Sequence, residues 1–85
     1  SANSSSNSTM IAVELHQNGS VWLNGTESSL EGLRGYASNL SEPDSTRVVL
    51  AVDPEVVLQS AVDVMDAFNQ FGVFNISMSA ARRFE

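Results

Sequence analysis

Hydrophobic residues alternate with others from Ile11 onward: Ile11, Val13 and Leu15 flank Ala12 and Glu14, and after Gln17-Asn18-Gly19 the alternation resumes at Val21 and Leu23. A period of two marks a strand with one buried face, so this stretch predicts a β-hairpin. A two-residue loop at Asn18-Gly19 would set Leu15 opposite Trp22 and mix apolar with polar residues on a face. A three-residue loop with Gly19 in the left-handed conformation pairs Leu15 with Val21 and Val13 with Leu23, which segregates the faces and is preferred. The reverse face then carries Glu14, His16, Ser20 and Trp22.

Asn24-Gly25 turns the chain, and Ser28 followed three residues later by Glu31 reads as a capping box opening a helix over residues 29–40. Leu30, Leu33, Ala37 and Leu40 are its expected buried stripe. Gly32 and Gly35 each cost this helix roughly 1 kcal/mol relative to alanine, so it depends on tertiary packing. Residues 41–46 form a loop around Pro43 and Asp44. The unbroken apolar run 48–52 predicts a central strand over 47–52, covered on both faces. A second helix over 57–71 follows, with Leu58, Ala61, Val62, Met65, Phe68 and Asn69 on one side and Gly72 as its C-terminal cap. Residues 73–79 are the last strand, with Phe74, Ile76 and Met78 alternating.

The order β-β-α-β-α-β predicts an α+β two-layer sandwich, a mixed sheet with both helices on one face. The other face then lacks a helix, and Trp22 with the outer side of the 47–52 strand makes it a candidate partner or dimer surface. Residues 1–9, rich in serine and asparagine, are expected to be a disordered linker or appended tail, 10–80 the folded domain and 81–85 a C-terminal tail.

Composition narrows the chemistry. Ten acidic and four basic residues give a net charge of -6 across the 85 residues, the wrong sign for nucleic acid or anionic lipid. With no cysteine and one histidine, thiolate and multi-histidine metal sites are excluded, so no metal or cofactor is expected. No run approaches the ~20 apolar residues of a membrane helix, and no signal-peptide pattern is present. His16 is assigned no role, and Asp63 and Asp66 are assigned to a solvated helix face rather than to an acid-base pair. The Asn-X-Ser/Thr triplets at Asn3, Asn7, Asn18, Asn24, Asn39 and Asn75 follow from a composition rich in Ser and Asn, and none is read as a glycosylation site. Asp53, before Pro54 at a strand end, has two readings, a cap on the following turn or a seat for a cationic partner segment, with the cap favoured.

An apolar strand closing in Asp53, Val56 three residues on, the helical step Val64-Met65-Asp66-Ala67, Gly72 and a final strand together resemble the periplasmic domain of the ExbD/TolR family. Upstream, the hairpin and Leu23-Asn24-Gly25 fit the same pattern, so the resemblance spans residues 11–78. Where family members commonly have an aromatic two positions after the valine, this chain has Leu58. Val57 stands where TolR-like members more often have proline, which favours the ExbD-like branch.

The resemblance implies the periplasmic end of a bacterial inner-membrane motor subunit. Such subunits work with an ExbB-like polytopic protein and pass proton-motive force to a TonB-like protein; the uncovered apolar sheet face makes a homodimer the expected state of this domain. The proton-carrying membrane helix of that family has no counterpart in these residues. The implied function is protein-protein interaction without catalysis. Its expected partner-binding residues are Val21, Trp22, Leu23, Val49, Ala51, Asp53, Phe74 and Ile76. Two alternatives stay open: a TolR-like domain contacting peptidoglycan or TolA, and a stand-alone enzyme or small-ligand binder, which the residues disfavour for want of a convergent titratable set.

Overall fold

The computed structural model describes residues 9–56 and 58–80. Five strands, β1 (Thr9–Leu15), β2 (Val21–Leu23), β3 (Thr26–Ser28), β4 (Thr46–Val52) and β5 (Asn75–Ala80), form one sheet in the order β3-β2-β1-β4-β5. Helix α1 (Leu30–Ser38) joins β3 to β4 and helix α2 (Leu58–Asn69) joins β4 to β5. The two helices pack on each other and on one face of the sheet, where Ile11, Val13 and Leu15 meet Leu33, Ala37, Val48, Leu50, Ala61, Val64 and Phe68 in a single core. This is the α+β, mixed-sheet architecture that the pattern predicts.

The hairpin takes the face-segregating register: Leu15 pairs with Val21 and Val13 with Leu23. Gly19, at φ 89°, occupies the left-handed conformation that the loop requires. Thr9, placed in the tail by its composition, is the first residue of β1; residues 1–8 and 81–85 lie outside the described residues.

Strand β3 was not among the expected elements. Asn24 (φ 51°) and Gly25 (φ 87°) are both left-handed, the backbone of a two-residue type I′ turn, and so they make a second hairpin rather than a loop into the helix. Asn24 is also tied to β1: its Oδ1 accepts the Ala12 N–H at 2.9 Å and its own N–H donates to the Ala12 carbonyl at 2.7 Å. The extra strand restores the direction of β1, so that β1 and β4 pair in parallel, Ile11 with Val48 through Leu15 with Val52.

Both helix phases differ in detail from expectation. The N-cap of α1 is Ser29, whose Oγ accepts the Gly32 N–H at 3.0 Å, so the capping box from Ser28 does not form. A Cβ on Gly32 would meet the Ser28 hydroxyl, which would have to rotate aside. In α2 the buried positions are Ala61, Val64, Ala67 and Phe68; Leu58, Val62 and Asn69, expected on that stripe, are exposed, and Met65 is half-buried at its flank. The helix ends in a Schellman motif: Val73 N–H donates to the Phe68 carbonyl and Gly72 N–H to that of Asn69, both at 3.1 Å, with Gly72 at φ 89°.

Strand β4 is buried on one face only, through Thr46, Val48 and Leu50; Val49 and Ala51 on the other face are half-buried, against the expectation of cover on both sides.

Val64→Asp should unfold the domain, because an unpaired carboxylate in this core costs several kcal/mol of a total of about 5–15. Asp66→Asn, on an exposed position, should leave the circular-dichroism melt unchanged. Comparison of the two melts checks the helix phase.

Candidate partner-binding site

Among the described residues, two surfaces lack cover. The first is the sheet face opposite the helices, where the register places Met10, Ala12 and Glu14 of β1, Trp22 of β2, and Val49 and Ala51 of β4. Trp22 is half-buried; its indole stacks on the His16 ring with centroids 5.2 Å apart, and its Nε1 donates to Ser20 Oγ at 3.3 Å. His16 Nε2 in turn lies 3.0 Å from Glu14 Oε1. These contacts pair the indole N–H with Ser20 and cover one side of the indole with imidazole. His16, assigned no role from sequence, is the support of Trp22.

The second surface lies along β5, one of the two sheet edges. Ile76, Met78 and Ala80 pair with Val48, Leu50 and Val52 and so point to the helix side, while Asn75, Ser77 and Ser79 point to the open face. Leu58 (71% exposed), Val62 and Met65 of α2 form a second apolar stripe at i, i+4, i+7 spacing beside the buried one. Between the start of α2 and the end of β5 lies a groove of about 340 Å³, walled by Pro54, Val56, Leu58 and Met78 (51% exposed).

Asp53 is part of the groove lining and is 3% exposed. Its Oδ1 accepts the Glu55 N–H at 2.9 Å, its carbonyl accepts the Val56 N–H, and its N–H donates to the Leu15 carbonyl, an extension of the β1–β4 ladder by one bond. The capping reading of Asp53 therefore holds locally.

The eight residues expected to bind a partner do not form one surface. Trp22, Val49 and Ala51 share the open face, whereas Val21 is core and Leu23 and Ile76 point to the helix side. Asp53 sits in the groove, and Phe74 is exposed just before β5. Residues 20–24 are not an edge, because β3 covers β2. Leu58, Val56, Pro54 and Met78 were missed as a group. Their signal was an excess: α2 carries more apolar residues than one buried stripe can use.

Asp63 and Asp66 do not act as a pair; Asp63 Oδ1 accepts Gln59 Nε2 at 2.9 Å and Asp66 Oδ2 accepts Gln70 Nε2 at 3.4 Å. No group of three potential metal-ligating side chains occurs among the described residues.

The arrangement is that of a small α+β domain with a bare sheet face and an apolar groove along one edge. The model of the family described as biopolymer transport protein ExbD/TolR matches residues 1–82, and the chain belongs to that family. No curated protein matches it.

Asp53→Ala removes a buried acceptor from the Glu55 N–H and should cost about 1–2 kcal/mol, whereas Asp53→Asn keeps an accepting oxygen and should cost less. Urea denaturation of both variants checks the order.

Proposed function

We propose that this domain is the periplasmic interaction module of an ExbD-like inner-membrane motor subunit, which passes proton-motive force to a TonB-like protein by adding an extended segment of it to the β5 edge. The carrying observation is the combination of family membership with an edge strand of six residues, Asn75–Ala80, flanked by exposed apolar side chains. Backbone pairing suits a moving, extended partner, because it tolerates sequence variation while alternate side chains supply selectivity. No helix among the described residues is long and apolar enough to cross a membrane. In this reading the domain is the periplasmic part of a protein anchored in the inner membrane, with an ExbB-like protein as the polytopic partner. The domain acts by binding and not by catalysis.

In the same reading the domain is a homodimer joined through the open face around Trp22, Val49 and Ala51. The contact is weak in isolation, and membrane anchoring raises its effective concentration. Sedimentation equilibrium should show association at about millimolar protein, the effective concentration that tethering typically supplies; a strict monomer there removes the dimer.

An NMR titration with a periplasmic TonB segment tests the main reading. Amide shifts should concentrate along β5. Shifts confined to the α2 surface around Asp63 and Asp66 would sink strand addition, and retention on isolated peptidoglycan with no response to the TonB segment would favour a TolR-like role.

A further inference from the structure

We propose that the groove at the end of β5 is a socket for the lysine or arginine side chain of an extended partner segment, with Asp53 as the counter-charge at its floor. The inference rests on the strand-addition reading and specifies what the added strand must carry. Asp53 is 3% exposed, yet among the described residues its side chain receives one hydrogen bond, from the Glu55 N–H to Oδ1. An ionised carboxylate accepts about four, and a buried one with most of that capacity unused favours any donor that reaches it.

The walls select the donor. Pro54, Val56, Leu58 and Met78 are apolar, which matches the methylene stem of lysine or arginine with a cationic head beyond it. A neutral donor would satisfy the hydrogen bond without offsetting the buried charge. Among the described residues no cation lies here: they hold nine acidic side chains and two arginines, Arg34 on α1 and Arg47 at the opposite end of β4. Exposed Glu55 follows Pro54 in the chain, adding a second negative charge close to the groove.

The position selects the register. Met78, Ser79 and Ala80 form the β5 side of the groove, so a strand laid along β5 brings a helix-side residue to its mouth near the end of the strand. One position of the partner should therefore be basic in an otherwise apolar row.

Two capped peptides of alternating threonine and valine test this, identical except for one apolar-row position that carries lysine in one and norleucine in the other. By calorimetry on the whole 85-residue chain, the lysine peptide should bind about tenfold or more tightly. Amide shifts should appear at residues 53–56 as well as along β5. Asp53→Asn, which retains an acceptor for the Glu55 N–H, should erase the preference.

A third peptide, with diaminopropionic acid for lysine, carries the same charge on a stem too short to reach the floor and should behave like norleucine even if the variant misfolds. Equal affinities for lysine and norleucine, a preference that survives Asp53→Asn, or no binding by any peptide each overturn the socket. Equal affinities with shifts along β5 remove the socket and leave strand addition standing. A lysine preference with shifts at residues 53–56 and none along β5 keeps the socket and removes strand addition.

Discussion

A helix that crosses a sheet returns the chain to the end of the sheet from which it left, so the strand before it and the strand after it run parallel. The three residues of β3 meet that constraint for α1. The type I′ turn at Asn24-Gly25 reverses the chain once more after the first hairpin, and α1 then leaves a strand that runs with β4. From β3 to β4 and from β4 to β5 the chain steps in the same direction across the sheet, which puts α1 and α2 on one face. Among the described residues, the uncovered opposite face and the unpaired flank of β5 are the remainder of that geometry.

Stability is concentrated where β1 and β4 lie side by side. Their parallel register stacks Ile11 on Val48 and Val13 on Leu50 beneath the helices, all at most 1% exposed. Neither helix is strong alone: α1 has nine residues and two glycines, and α2 depends on burying Val64 and Phe68. Val73, next to the Gly72 turn, is buried with Phe68, so the Schellman motif both ends α2 and aims the chain into β5.

The two edges of the sheet are unequal. β3 is three residues long with exposed Glu27 at its centre, a short and charged edge that discourages pairing. β5 is twice as long, carries no charge or proline, and includes exposed Met78, which shares the groove with exposed Leu58 of α2. A monomer that exposes such an edge risks aggregation, and the strand-addition reading gives the exposure a use. Asp53 links the two themes. It holds the turn between β4 and α2 through the Glu55 N–H and presents its remaining capacity to the groove.

What the sequence determined by itself are the elements whose pattern is local. Period-two alternation around Gly19 set the hairpin register, because a slip by one residue would exchange the faces. Gly72 and the apolar run 48–52 marked a helix end and the strand beside β1 in the same way. The resemblance carried by Asp53, Val64-Met65-Asp66-Ala67 and Gly72 led to the family. Three things were decided only by tertiary structure. β3, with the sequence Thr-Glu-Ser, has no apolar alternation and exists because β2 offers it a ladder and Asn24 anchors the turn to Ala12. The phase of α2 was ambiguous because two apolar stripes lie side by side, and which is buried depends on how the helix rolls against β4 and α1. The candidate groove joins residues from the turn after β4, the start of α2 and the end of β5, and side chains that far apart in the chain become neighbours only when the parallel sheet aligns the ends of its strands.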